Sequence, residues 1–243
     1  MASEWVSILV DGQDMRVYLS QPETTGKVPG VLVIMEAFGV NKRIQEATDK
    51  LAREGYVAVA PVLYHRLGSN PLFSYTGEAA EARTTAMASL RDAELVHDLN
   101  TTIAYPHGHA QVRADRLGIV GVCVGGRIAY LAASSCPGLS AAVVYDGGRI
   151  PLAFGEGPAP FERTMNAQCP VLGNFGALDR NPTPDEVRKI ETELKKHDKV
   201  CDVNIYPGAN HGFNCDERPS YHAEASQDAW GRTLGWFQQY LKA

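Results

Sequence analysis

Leu117-Gly118-Ile119-Val120-Gly121-Val122-Cys123-Val124-Gly125-Gly126-Arg127 is the stretch on which the reading of this chain turns. Its first residues are apolar and rich in β-branched side chains, the pattern of a short buried parallel strand. The continuation, Arg127-Ile128-Ala129-Tyr130-Leu131-Ala132-Ala133, reads as a helix of small and apolar residues. Cys123 stands at the reversal between the two, with Gly121 two residues before it and Gly125 two after. Gly-x-Nu-x-Gly is the pattern of a nucleophile elbow, here with cysteine where serine usually stands. A strained strand-to-helix turn needs missing β-carbons on both flanks, which the glycines supply. Such a turn lifts the sulfur above the sheet, toward helix N–H groups that can lower a thiol pKa and hold an oxyanion.

Two blander readings compete. A free cysteine is most often a small buried hydrophobe, and glycines after a strand can cradle a phosphate. The second fails on spacing: Gly121 to Gly126 does not fit Gly-x-Gly-x-x-Gly, because position 123 is cysteine.

The 243 residues are within the range of one undivided α/β domain, and 44% hydrophobic content is enough for a large core. A net charge of −5 without a basic cluster argues against nucleic acid as a partner. The stretch Met1-Ala2-Ser3-Glu4-Trp5-Val6-Ser7 carries neither a basic nor an apolar targeting region, and no apolar run approaches a membrane span. Cysteines 123, 136, 169, 201 and 215 are odd in number and scattered, as reduced thiols are. These features predict a cytoplasmic protein, off the membrane, monomeric or weakly dimeric.

Asp11-Gly12 between two short strands predicts a hairpin. Gly30 to Met35 reads as a near-continuous apolar strand, Lys42 to Arg53 as a helix, and Val57 to Ala60 as a further strand closed by Pro61. Glu78 to Tyr105, free of Gly and Pro, predicts one long helical stretch. Beyond the elbow, strands are expected at Ala141–Tyr145, Pro170–Gly176 and Val200–Tyr206, and helices at Pro184–Lys196 and Tyr221–Lys242. Residues 149–168 are Gly/Pro-rich and read as a surface loop. Strands alternating with helices imply a mainly parallel sheet covered on both faces.

Cys123, Asp179 and His211 each follow a predicted strand, in the order nucleophile, acid, histidine of the α/β-hydrolase arrangement. A cysteine attacks as the thiolate and needs a base, which a neutral imidazole provides near pH 7. The imidazole in turn needs a carboxylate to fix its tautomer and support its charge. Taken singly, Asp179 could be a turn residue and His211 a structural histidine, one of seven. The other six read as ordinary. His107-Gly108-His109 has metal-like spacing but no nearby carboxylate or cysteine ligand, so no metal is expected there.

These residues resemble the dienelactone hydrolase, or carboxymethylenebutenolidase, family over nearly the whole chain. The resemblance rests on Met35-Glu36-Ala37-Phe38-Gly39-Val40-Asn41, the elbow, Gly176-Ala177-Leu178-Asp179 and Ala209-Asn210-His211-Gly212-Phe213. The run Cys215-Asp216-Glu217-Arg218-Pro219-Ser220-Tyr221 belongs with it. It implies an α/β-hydrolase fold over residues 1–243 as a single domain, without a separate lid. It further implies a Cys123–His211–Asp179 triad, with Glu36 as a fourth participant that keeps the resting thiol neutral and takes its proton when substrate enters. Backbone N–H groups of Val124 and Ala37 would form the oxyanion hole. Arg83, Phe38 and Tyr145 are the substrate-binding candidates.

The implied reaction is hydrolysis of an enol-lactone, 4-carboxymethylenebut-2-en-4-olide, through a cysteinyl thioester, in aromatic catabolism and without cofactor or metal. One departure stands out. Where the family has a second carboxylate-binding arginine, four residues after the histidine, this chain has Cys215; Arg218 is close but displaced and reads as a surface charge. The departure leaves open a broader esterase acting on neutral esters. A catalytically silent binding protein on the same scaffold is the alternative from another class.

Overall fold

A computed structural model describes residues 1–242, and their side chains except at positions 78 and 106–108. His107, singled out above for its spacing, has its side chain outside the described residues. Strands β1 (Ala2–Val10) and β2 (Gln13–Gln21) pair antiparallel across Asp11-Gly12. Both turn residues have positive φ (50° and 76°), as a tight two-residue hairpin requires.

The remaining strands are β3 (Val28–Ile34), β4 (Val57–Pro61), β5 (Val112–Val122), β6 (Leu139–Tyr145), β7 (Val171–Gly176) and β8 (Cys201–Tyr206). They run parallel to one another, and the eight-stranded order is β1-β2-β4-β3-β5-β6-β7-β8. Strands β3, β4 and β7 are almost wholly buried, which explains their unbroken apolar sequences. The connections are helices α1 (Lys42–Arg53), α2 (Ala80–Ser89), α3 (Asp92–Gly108), α4 (Val124–Ser135) and α5 (Pro184–Lys196), with α6 (Ala223–Leu241) last. Helices cover both faces of the sheet.

Local chemistry sets the helix ends. The Asn41 side chain accepts from the Ile44 N–H and starts α1. Thr183 and Glu186 form a reciprocal capping box at α5, with Pro184 in its first turn. Helix α4 is buried along residues 124–134, so its small and apolar composition reflects burial on every side.

One prediction needs correction. The stretch from Glu78 to Tyr105 is two helices, broken at Leu90, whose ψ of 139° is extended. The break serves Asp92, buried at the start of α3, where it takes both arms of the fully buried Arg127 guanidinium at 2.7 and 3.0 Å. Arg127 also donates to the carbonyls of Arg149 and Leu152, and Asp92 accepts the Phe154 N–H. The segment 149–168 is therefore anchored to α4 and carries a 3₁₀ turn, Phe161–Asn166. No helix among the described residues is long and apolar enough to cross a membrane.

Candidate active site

Four neighbouring strands, β5 to β8, lead into Cys123, Asp146, Asp179 and His211 respectively. All lie at strand C-terminal ends, where open α/β sheets place their ligands. Cys123 has φ 60° and ψ −123°, a left-handed conformation that lifts its side chain out of the β5–α4 turn. Its N–H donates to the Tyr145 carbonyl at 3.0 Å, and its carbonyl accepts from Arg127 N–H. The flanking glycines permit close backbone approach. A Cβ at Gly125 would lie 2.6 Å from the Ile34 carbonyl oxygen, and one at Gly121 would collide with the Gly125 carbonyl.

The loops after β7 and β8 are tied together by Ala177 N–H to Tyr206 O and Leu178 N–H to Ala209 O, both 2.9 Å. That pairing sets Asp179 against His211. Asp179 Oδ2 accepts from His211 Nδ1 at 2.8 Å, while Asp179 Oδ1 accepts the Asn181 N–H. With its Nδ1 proton committed, the imidazole has Nε2 left for another partner. The Cys123 thiol is close enough to the His211 imidazole to influence its charge. Burial acts to lower the imidazole pKa, but the bond to Asp179 and the neighbouring Cys123 and Asp146 together raise it well above the usual range.

Glu36 is almost fully buried at the end of β3, and its Oε2 has no hydrogen-bond partner among the described residues. Burial raises its pKa, against the opposing influence of Arg43, Arg218 and His211. A cavity of about 460 Å³ between α1 and α6 reaches Glu36; it is lined by Arg43, Lys50, Val120 and Trp230 but not by Cys123 or His211. Ala37, buried beside Glu36, has its carbonyl bonded by the Tyr64 hydroxyl at 3.3 Å. Val124 is the first residue of α4, so its N–H is one of the helix's unpaired donors.

Phe38 is the meeting point of two cations. The Arg83 guanidinium, on α2, lies 4.9 Å from its ring centroid and that of Arg218 lies 6.0 Å away. Tyr75 packs on the same ring at 4.3 Å. Arg218 also lies against Gly212, next to His211. It is half-buried at the site, which corrects its reading as a surface charge. Cys215 is buried and its thiol donates to the Tyr75 hydroxyl at 3.8 Å.

Tyr145 is a second correction. Its side chain is buried under α6, with its hydroxyl on Ala229 O at 2.8 Å and Thr233 Oγ1 at 2.6 Å. Side chains alternate along a strand, so it is the next residue, Asp146, that turns to the histidine. Sequence reasoning passed over Asp146, although an acid followed by Gly147-Gly148 at the end of an apolar strand was a visible signal. Tyr64 and Arg43 were passed over as well. The charge of Cys123 helps to raise the pKa of Tyr64, after burial, and Arg43 is the strongest opposing charge on Glu36.

Among the described residues, Asp146, Asp179 and His211 are the acid and histidine side chains whose donor atoms all lie within 4.8 Å of one another. Asp146 already accepts a backbone N–H at each oxygen, and His211 Nδ1 is committed to Asp179, so these donors are occupied by the protein.

A sequence model of the dienelactone hydrolase family matches residues 15–241. The chain belongs to the dienelactone hydrolase family. It is thus a carboxylic ester hydrolase with the α/β-hydrolase fold. A Synechocystis sp. protein named "Putative carboxymethylenebutenolidase" is 37% identical over 238 residues, covering 97% of this chain and 96% of that protein. A Bradyrhizobium sp. protein named "Probable 2-oxo-3-(5-oxofuran-2-ylidene)propanoate lactonase" is 31% identical over 99% of this chain and 96% of its own length. The crystal structure of a Klebsiella pneumoniae protein, described as a "Putative Dienelactone Hydrolase", superposes with a TM-score of 0.88 at 33% identity, covering 98% of this chain and 99% of that one. Family membership brings lactone and ester hydrolysis as the class of reaction.

Proposed function

We propose that this dienelactone hydrolase family member opens an enol-lactone bearing a carboxylate, such as 4-carboxymethylenebut-2-en-4-olide, through a thioester on Cys123. The observation that carries the substrate class is the pair Arg83 and Arg218, both facing the Phe38 ring, with Arg218 packed on Gly212 next to His211. Arg218 supplies the second cation that Cys215 does not. Two guanidinium groups around one aromatic ring suit a planar, conjugated carboxylate, which they can bind through charge-assisted hydrogen bonds.

In the proposed reaction His211 takes the thiol proton and the Cys123 sulfur attacks the lactone carbonyl. Asp179 supports the imidazolium so formed. Backbone N–H groups of Val124 and Ala37 receive the developing oxyanion. Collapse breaks the ring C–O bond; the enol oxygen leaves with the proton from His211 and tautomerises to the ketone. Water, deprotonated by His211, then cleaves the thioester, releasing the dicarboxylate (maleylacetate from dienelactone) and returning the thiol. Glu36, whose pKa burial raises, is the fourth participant: it keeps the resting thiol neutral and, as a carboxylate, helps His211 to take the thiol proton when substrate enters. The chemistry needs only groups the chain provides, and aromatic catabolism in the cytoplasm is its natural setting.

Acid quenching during turnover, followed by peptide mass mapping, tests the intermediate. An acyl mass on the peptide containing Cys123, labile to hydroxylamine, supports the proposal; an acyl group on another residue contradicts it. The buried thiol of Cys215 favours a second reading, an esterase for neutral substrates. It predicts equal loss on charged and neutral esters when Arg83 or Arg218 is replaced.

A further inference from the structure

Asp146 is a third acid of the strand-end row, and the reaction above gives it no task. It is fully buried, with φ 45°, a conformation that aspartate tolerates better than most side chains. Its Oδ2 accepts the Gly212 N–H at 2.8 Å and its Oδ1 the Gly176 N–H at 3.3 Å. Gly212 follows the histidine directly, and Gly176 ends the strand that leads to Asp179. One carboxyl group therefore holds the bases of both loops. Its donor atoms and those of Asp179 and His211 all lie within 4.8 Å of one another.

We propose that Asp146 is a positioning residue for His211, a second carboxylate that fixes the histidine loop through Gly212 and shares with Asp179 the positive charge the imidazole acquires. The proposal builds on the reading of His211 as the base. A wholly buried carboxylate bonded only to backbone N–H groups is costly unless a cation lies nearby, and the imidazolium is that cation. Burial pushes the Asp146 carboxyl up to about 7, while the His211 charge and the Gly212 N–H pull it down, Asp179 pushes it up and the Gly176 N–H pulls it down. Each group's charge thus acts on the other's ionisation. The other charged or titratable groups that face His211 are Cys123 after β5, Asp179 after β7, Glu36 after β3, and Arg218, which packs on Gly212.

The test is the His211 midpoint by NMR of histidine-labelled protein in a Cys123→Ala background, where the thiol no longer contributes. Asp146→Asn, and in parallel Asp146→Ser, keep an acceptor oxygen without the charge, so that one variant decides if the other does not fold. The proposal predicts a midpoint lowered by about one pH unit in a neutral variant. With Cys123 restored, it predicts an acid limb of kcat/KM displaced in the same direction. A midpoint that stays in place in the folded variants, with activity lost equally at every pH, leaves Asp146 a structural clamp and overturns the proposal. The parent protein separates this from the reaction itself: hydrolysis persisting in Cys123→Ala contradicts the cysteine mechanism, while the midpoint still reports on Asp146.

Discussion

The guanidinium of Arg218 is packed onto Gly212: a Cβ added at Gly212 would stand 2.8 Å from Arg218 Cζ. Gly212 also has φ +74°, so a side chain is disfavoured there twice over. The residue after the histidine thus seats the second cation of the site. Replacing Arg83 or Arg218 by alanine is expected to lower kcat/KM on a carboxylate-bearing lactone by about 10- to 100-fold, the worth of one charged hydrogen bond. Hydrolysis of p-nitrophenyl acetate should change by less than about threefold. Steady-state kinetics on the two substrates check this.

Arg127 and Asp92 form a bidentate pair in which both side chains are essentially without solvent exposure. Removing one partner leaves an uncompensated buried charge. Arg127→Ala or Asp92→Ala should destabilise the protein by about 3–5 kcal/mol, measured by urea unfolding. The double replacement Arg127→Met with Asp92→Leu should cost less than either single one.

The elbow offers a steric prediction. Gly125→Ala would set a methyl group 2.6 Å from the Ile34 carbonyl, which belongs to the sheet and cannot yield cheaply. Loss of activity with a lowered Tm is expected. Thr183→Ala, which removes the α5 capping box, should cost about 1 kcal/mol in urea unfolding.

His211 links stability to pH. Its folded pKa is raised above the ordinary 6.5, so the folded state binds the proton more tightly than the unfolded state. The stabilisation this gives is complete below about 6.5 and is lost as pH rises through the raised folded value. The margin in unfolding free energy of the parent over His211→Gln should therefore shrink between pH 6 and pH 9, about half a unit below and well above the unfolded pKa. A margin that grows over that interval contradicts the assignment.

Much of the fold is legible in local chemistry. The hairpin at Asp11-Gly12, α1 after Asn41 and α5 after Thr183 carry their turn and cap residues in plain view. The Cys123, Asp179 and His211 stretches declare strand ends, and the fold brings them to one place. What was hidden depends on distant partners. The break at Leu90 has no Gly or Pro to announce it, because Arg127, 35 positions after Asp92, fixes where α3 begins. Arg218 faces Phe38 from a turn in which its N–H donates to Cys215 O at 3.1 Å. Tyr145 and Asp146 could have been told apart by strand alternation, since adjacent side chains take opposite faces.

The account stands on Cys123. Its most direct test is kcat/KM on dienelactone beside p-nitrophenyl acetate, for the parent protein and for Cys123→Ala. A strong preference for dienelactone in the parent, with both activities abolished in the variant, is the predicted result. An unchanged rate on either substrate in Cys123→Ala would place the nucleophile elsewhere and contradict the mechanism.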